Sequence, residues 1–165
     1  MRVPESLCAY RLDALLQRFR ERSPRVRLSL VTCALDGLES DLRQGVTDLA
    51  LVYIDSIVAP DLRAELLGTE PLTIVAAPSH PLALKGIIGP EELEGVPLLL
   101  SKGDCAYRRM FEALLRERGV DPAIGMEFSS LLALKRCVAL GMGISLLPAI
   151  AAVEEPGQER LAKIA

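Results

Sequence analysis

A single histidine, His80, and four scattered cysteines are all the chain has for soft-metal or imidazole chemistry. Cys8, Cys33, Cys105 and Cys137 form no C-x-x-C pair, which excludes a Cys/His zinc knuckle. No metal site and no cofactor is expected. Aromatic residues make up only 4%, with no Trp, while half of the 165 residues are hydrophobic. The core must therefore be aliphatic, and a chain this long needs no disulfide staples; reduced thiols and a cytoplasmic setting fit best. A basic excess is also missing. The net charge of −3 argues against a free-standing nucleic-acid binder, whose affinity comes mostly from phosphate neutralisation. The arginines of Arg18-Phe19-Arg20-Glu21-Arg22 read as a solvated helix face. No stretch reaches the roughly 18 apolar residues of a membrane span, and Met1-Arg2-Val3-Pro4-Glu5 shows no secretory pattern.

What is present is an alternation of strand and helix patterns. Leu12, Leu15, Leu16 and Phe19 recur at helical spacing and predict one helix over 6–22, stopped by Ser23-Pro24. Alternation over 26–32 and an apolar run over 48–53 predict two parallel strands flanking a short helix that ends at Gly45. Further strands are expected at 62–67, 72–77, 96–100, 124–128, 144–147 and 160–164. A loop is expected at 78–81 and a proline-started helical turn at 89–93. A helix opening at Asp104 or Cys105 carries Met110, Phe111, Leu114 and Leu115. Another, capped by Ser129-Ser130, carries Leu131, Leu134, Cys137 and Val138. Pro148 is expected to start a last short helix. The class is α/β.

The ordered series Pro4-Glu5-Ser6-Leu7, Arg18-Phe19-Arg20-Glu21-Arg22-x-Pro24, Gly45-Val46-Thr47-Asp48-Leu49-Ala50, Ser79-His80-Pro81-Leu82, Gly103-Asp104-Cys105-Ala106 and Gly141-x-Gly143-Ile144-x-Leu146-Leu147-Pro148 resembles the effector-binding domain of LysR-type transcriptional regulators. The likeness spans nearly the whole chain. It implies two Rossmann-like lobes similar to type 2 periplasmic binding proteins, lobe one over 1–75 and lobe two over 76–165, with a small effector in the cleft between them. Against the family pattern, the helix-turn-helix and its linker helix are missing, and the sequence stops before the segment that returns to lobe one. A fragment is the expectation. DNA would then be met only through the absent N-terminal domain.

Helix starts supply the chemistry for an anionic effector, since their unbonded N–H groups and the macrodipole attract carboxylate or phosphate. The starts at Ser6-Leu7, at Asp104-Cys105-Ala106 and at Ser130 are candidates, with hydroxyls of Ser6, Ser101 and Ser130 as added donors or as ordinary helix caps. The resemblance implies ligand contacts at these positions and at Phe128, which otherwise reads as a core aromatic. Tyr53 follows a strand end, where open α/β sheets bind ligands. Arg108 has a fork suited to an anion but sits four residues before Glu112, and that helix-surface pair is the expectation. Cys105 reads as a structural thiol rather than a redox sensor. His80 reads as a turn residue. Gly141-x-Gly143 follows a helix and lacks a third glycine, so it is a tight turn and not a dinucleotide fingerprint.

The function expected is ligand sensing within a transcriptional regulator, with no catalytic constellation and no membrane partner. Family members pair head to tail, which implies a homodimer or higher homo-oligomer using 6–32 of one copy and 124–140 of the other. A transporter's solute-binding protein shares the fold and is the alternative; the lack of a signal sequence and the scattered cysteines weigh against it.

Overall fold

The computed structural model describes residues 1–32, 35–54, 56, 59–102, 105–153 and 160–164. The chain divides into two compact units, Met1–Thr69 and Glu70–Ala165.

The N-terminal unit is organised around β1 (Arg2–Val3), paired in parallel with β2 (Val31–Thr32) and bridged on its other side to Ala50. The strand–helix–strand unit expected over 26–53 is present as a parallel arrangement, with α3 (Leu38–Arg43) as its crossover. Its strands are far shorter than the sequence pattern predicts. Residues 26–30 and 48–53 form no strand beyond the bridge at Ala50. The reason is the register of β1: with Arg2 opposite Val31 and Ala50 in parallel, it offers backbone only at Arg2–Val3, residues 26–30 fall before that register, and past Val3 the chain turns at Pro4, which has no N–H, into α1 (Glu5–Tyr10). Residues 62–67 are not a strand either, and Leu66 and Leu67 are exposed.

The predicted single helix over 6–22 is two helices, α1 and α2 (Asp13–Arg22). The Leu7 carbonyl accepts from both the Arg11 N–H at 3.0 Å and the Leu12 N–H at 3.2 Å, so the ladder slips by one residue before it resumes at Leu16. The slip changes which face is buried. Leu12 is buried, whereas Leu15 and Phe19 are exposed and α2 buries no residue at all.

The C-terminal unit holds most of the core. Strand β4 (Pro97–Ser101) pairs in parallel with β5 (Ala123–Phe128), and its other edge meets Ile144 through a parallel bridge. Leu98, Leu99 and Leu100 are consecutive and all buried, as in a strand covered on both faces. Strand β3 (Leu72–Ala76) runs antiparallel to both β6 (Ser145–Pro148) and β7 (Ala162–Ile164). Helix α5 (Ala106–Glu117) buries Tyr107, Arg108, Phe111 and Leu115, a stripe that leaves the predicted core positions Met110 and Leu114 exposed. Helix α6 (Leu131–Ala139) packs Leu134 and Val138 onto β3 and β4. Each such fully buried aliphatic contributes about 1.5–3 kcal/mol of transfer free energy.

Two local expectations are corrected. The loop at 78–81 leads directly into α4 (Pro81–Lys85), because His80 accepts the Leu82 N–H on Nδ1 and Pro81 occupies the first helical position. Pro148 ends β6 instead of starting a helix; the Ala151 and Ala152 amides close only a single turn behind it. The turn at 89–93 is a 3-10 turn (Pro90–Leu93), as predicted.

Candidate functional site

In the C-terminal unit the sequence-named residues collect at the carboxyl ends of β4 and β5. Ser101 and Phe128 are register partners across the two strands. The Lys102 amide donates to the Phe128 carbonyl at 3.0 Å, and the Cys105 amide donates back to the Lys102 carbonyl at 3.0 Å. Cys105 is the N-cap of α5 in extended geometry, its thiol takes no part in capping, and Ala106 is the first helical residue. Ser130 is the N-cap of α6, its Oγ accepting from the Ala133 amide at 3.4 Å. Carboxyl ends of parallel strands, followed by helix starts, are where open α/β sheets take ligands.

Ser101 closes β4 rather than capping a helix. Its Oγ is buried and has no hydrogen-bond partner among the described residues. A buried hydroxyl left in that state costs about 1–3 kcal/mol. Asp104 lies outside the described residues.

In the N-terminal unit, Ser6 and Tyr53 come together although 47 positions separate them: Ser6 Oγ and Tyr53 Oη are 3.1 Å apart. Ser6 is buried inside α1 and is not the cap; that position belongs to Pro4. Leu7 follows it and offers the carbonyl on which the helix slips. Tyr53 follows the Ala50 bridge, so this pair too sits past strand ends.

Arg108 does more than the expected helix-surface pair. Its Nε donates to Glu112 at 2.8 Å, its Nη1 to the Ser101 carbonyl at 2.7 Å, and its Nη2 to Glu127 at 2.7 Å. Burial opposes the charged guanidinium, but the bonds to Glu127 and Glu112 outweigh it and hold Arg108 above its ordinary range. Glu127 carries no signal in the sequence; only the β4–β5 register brings it within reach. Burial lowers the pKa of His80.

A groove of about 500 Å³ lies at the far end of α5, lined in part by Glu112, Leu115, Arg116, Asp121 and Ile124. None of the sequence-named ligand residues lines it. No group of His, Cys, Asp and Glu among the described residues is arranged to hold a metal ion, and no helix among them is long and apolar enough to cross a membrane.

Residues 1–165 match the family model described as the LysR substrate binding domain. A relative in Escherichia coli K12, the HTH-type transcriptional regulator YfiE, is 33% identical over 153 residues, covering 92% of this chain and 50% of the relative. The chain thus spans about half the length of the curated relatives it matches. Among solved structures, the regulatory domain of Synechocystis CcmR in complex with 2-PG superposes with a TM-score of 0.83 at 24% identity, over 99% of this chain and 77% of that one. The effector-binding domain of QuiR in complex with shikimate gives 0.77 at 21% identity, over 99% and 78%. These likenesses agree with the strand and helix order above, and the α/β fold is that of these effector-binding domains, which resemble type 2 periplasmic binding proteins. The chain belongs to the LysR substrate-binding domain family.

Proposed function

We propose that this chain senses a small anionic effector, a carboxylate by preference, on behalf of a LysR-type regulator. The observation that carries the reading is the buried Ser101 hydroxyl, without a partner among the described residues, at the carboxyl end of β4 and five positions before the start of α5. A carboxylate oxygen accepting from that hydroxyl would remove its desolvation cost while meeting the positive end of the helix. Ser101, Cys105, Ala106, Phe128 and Ser130 are the proposed contacts from the C-terminal unit, and Ser6, Leu7 and Tyr53 from the N-terminal unit. Asp104 is proposed on its sequence position alone. The neighbours that hold shikimate and 2-PG support a small ligand as the class.

Ligand binding is proposed to act by differential affinity for two arrangements of the regulator, shifting its population and thereby its action on DNA. DNA would be contacted by other parts of the full-length protein, in the cytoplasm, with no cofactor and no catalytic step. The regulator reading is favoured over a transporter's solute-binding protein because the curated relatives are HTH-type transcriptional regulators. A second copy is the proposed protein partner. Supporting it, Leu15, Phe19, Val26, Leu28 and Val31 are exposed in the N-terminal unit, while Ile124 and Met126 are exposed on β5. Apolar surface of that extent favours burial in a protein contact.

The test is a thermal-shift titration of the purified chain against carboxylates and phosphates at fixed pH and salt. A concentration-dependent rise in Tm for one chemical class supports the sensor, since a ligand of the folded state stabilises by mass action. No rise with any carboxylate, in a chain that unfolds cooperatively, rules out the carboxylate preference.

A further inference from the structure

Three elements meet at one side chain in the C-terminal unit. Arg108 is 7% exposed, and its planar fork reaches β4 through the Ser101 carbonyl, β5 through Glu127 and its own helix through Glu112. These partners have different surroundings. The Ser101 carbonyl belongs to the residue whose buried hydroxyl has no partner among the described residues, whereas the Glu127 side chain is 50% exposed. Rigid, multidentate pairing of this kind suits arginine and not lysine, whose ammonium is a point charge on a flexible stem.

We propose that Arg108 is a positioning residue: through its bond to Glu127 it fixes the start of α5 against the carboxyl ends of β4 and β5. It does not touch the ligand. It holds the Ser101 carbonyl in place, and so sets where the Ser101 hydroxyl and the first amides of α5 point. The proposal rests on the reading of this strand edge as the effector site. Two consequences follow from the geometry. The edge is held by a charge pair with one half-exposed member, so a change at Glu127 reaches Ser101 through a single intervening side chain. The local amides most dependent on the arrangement are Lys102, which donates to the Phe128 carbonyl, and Cys105, which donates to the Lys102 carbonyl.

The experiment is amide hydrogen exchange by NMR on the whole chain without ligand, comparing the native protein with Glu127→Gln and Arg108→Lys. Glu127→Gln alters a half-exposed group and leaves the core intact, so it decides the matter even if Arg108→Lys fails to fold. The expected result is exchange about tenfold faster at Lys102 and Cys105, with the β3–β6 amides of Thr73 and Leu147 unchanged. Unchanged rates at Lys102 and Cys105 would overturn the proposal. So would a uniform acceleration across the unit, which is what a purely structural ion pair would give. Because this readout needs no ligand, a failed anion titration would count against the effector site without altering the result for Arg108.

Discussion

Ser6 Oγ and Tyr53 Oη stand 3.1 Å apart, joining the first helix to the stretch that follows the Ala50 bridge. This bond gives a short-stranded unit a side-chain tie that its sheet, two residues wide in β1 and in β2, does not supply. Ser6→Ala and Tyr53→Phe are each expected to destabilise the unit by about 1 kcal/mol. The double variant should lose less than the sum, because both remove the same bond. Urea denaturation of the four proteins measures this; additive losses would show that the hydroxyls do not interact.

Ser101 and Ser145 both carry buried hydroxyls without a partner among the described residues, yet they are predicted to differ in what they do. Ser145 lies in β6, paired to Val75 at the centre of the core, and Ser145→Ala should stabilise the fold by about 1 kcal/mol while leaving anion binding alone. Ser101→Ala should stabilise similarly but abolish most of the ligand-induced rise in Tm. Equal ligand responses in the two variants would remove Ser101 from the site.

Gly143 makes the turn after α6 possible for a steric reason. A Cβ there would fall inside contact distance of the Pro97 carbonyl oxygen and of Leu99 Cδ1. The Pro97 oxygen also accepts the Ile144 amide at 3.0 Å, so it cannot move away without breaking that bond. Gly143→Ala is therefore expected to cost about 1–3 kcal/mol in equilibrium unfolding. A neutral outcome would mean that β4 and β6 can separate freely at this point.

His80 gives the stability a pH-dependent component. Its Nδ1 must be unprotonated to accept the Leu82 amide, and burial lowers its pKa below the ordinary 6.5. The unfolded chain therefore takes up the proton first. The contribution is present in full above about pH 6.5 and is lost as pH falls through the folded-state pKa. Asn is also a good N-cap, so His80→Asn should keep the helix and remove this component. Subtracting the two stability-versus-pH curves between pH 8 and 5 isolates it; parallel curves would contradict the assignment.

Leu15 and Phe19 sit on the outer side of α2, which buries nothing. Leu15→Glu is expected to leave the unfolding free energy within about 0.5 kcal/mol, as for most surface changes, and to weaken self-association in sedimentation analysis. Unaltered association would place the contact between copies elsewhere.

The carboxyl edge of the C-terminal unit was legible in the sequence because each of its parts has a local signature. Ser130 before an apolar helix stripe, Cys105-Ala106 at a helix start, and the leucine run of β4 are each read within a few residues, and the structure has them as expected. The N-terminal unit was read less well. Alternation over 26–32 and the apolar run over 48–53 fit a strand's needs, but a strand exists only where a neighbour offers backbone. The single helix over 6–22 failed in the same way: periodicity cannot show that the Leu7 carbonyl takes two amides and turns Leu15 and Phe19 outward.

By itself, then, the amino-acid sequence determined the α/β class, the strands and long helices of the C-terminal unit, the absence of metal-ligand spacing, and the family pattern. All of these depend on residues near one another in the chain. The tertiary structure alone decided that Ser6 meets Tyr53, that the Ser101 hydroxyl is buried with no partner among the described residues, and that Arg108 reaches Glu127 as well as Glu112. Such pairings depend on register between distant strands, and register follows from how the whole core packs, not from any local preference.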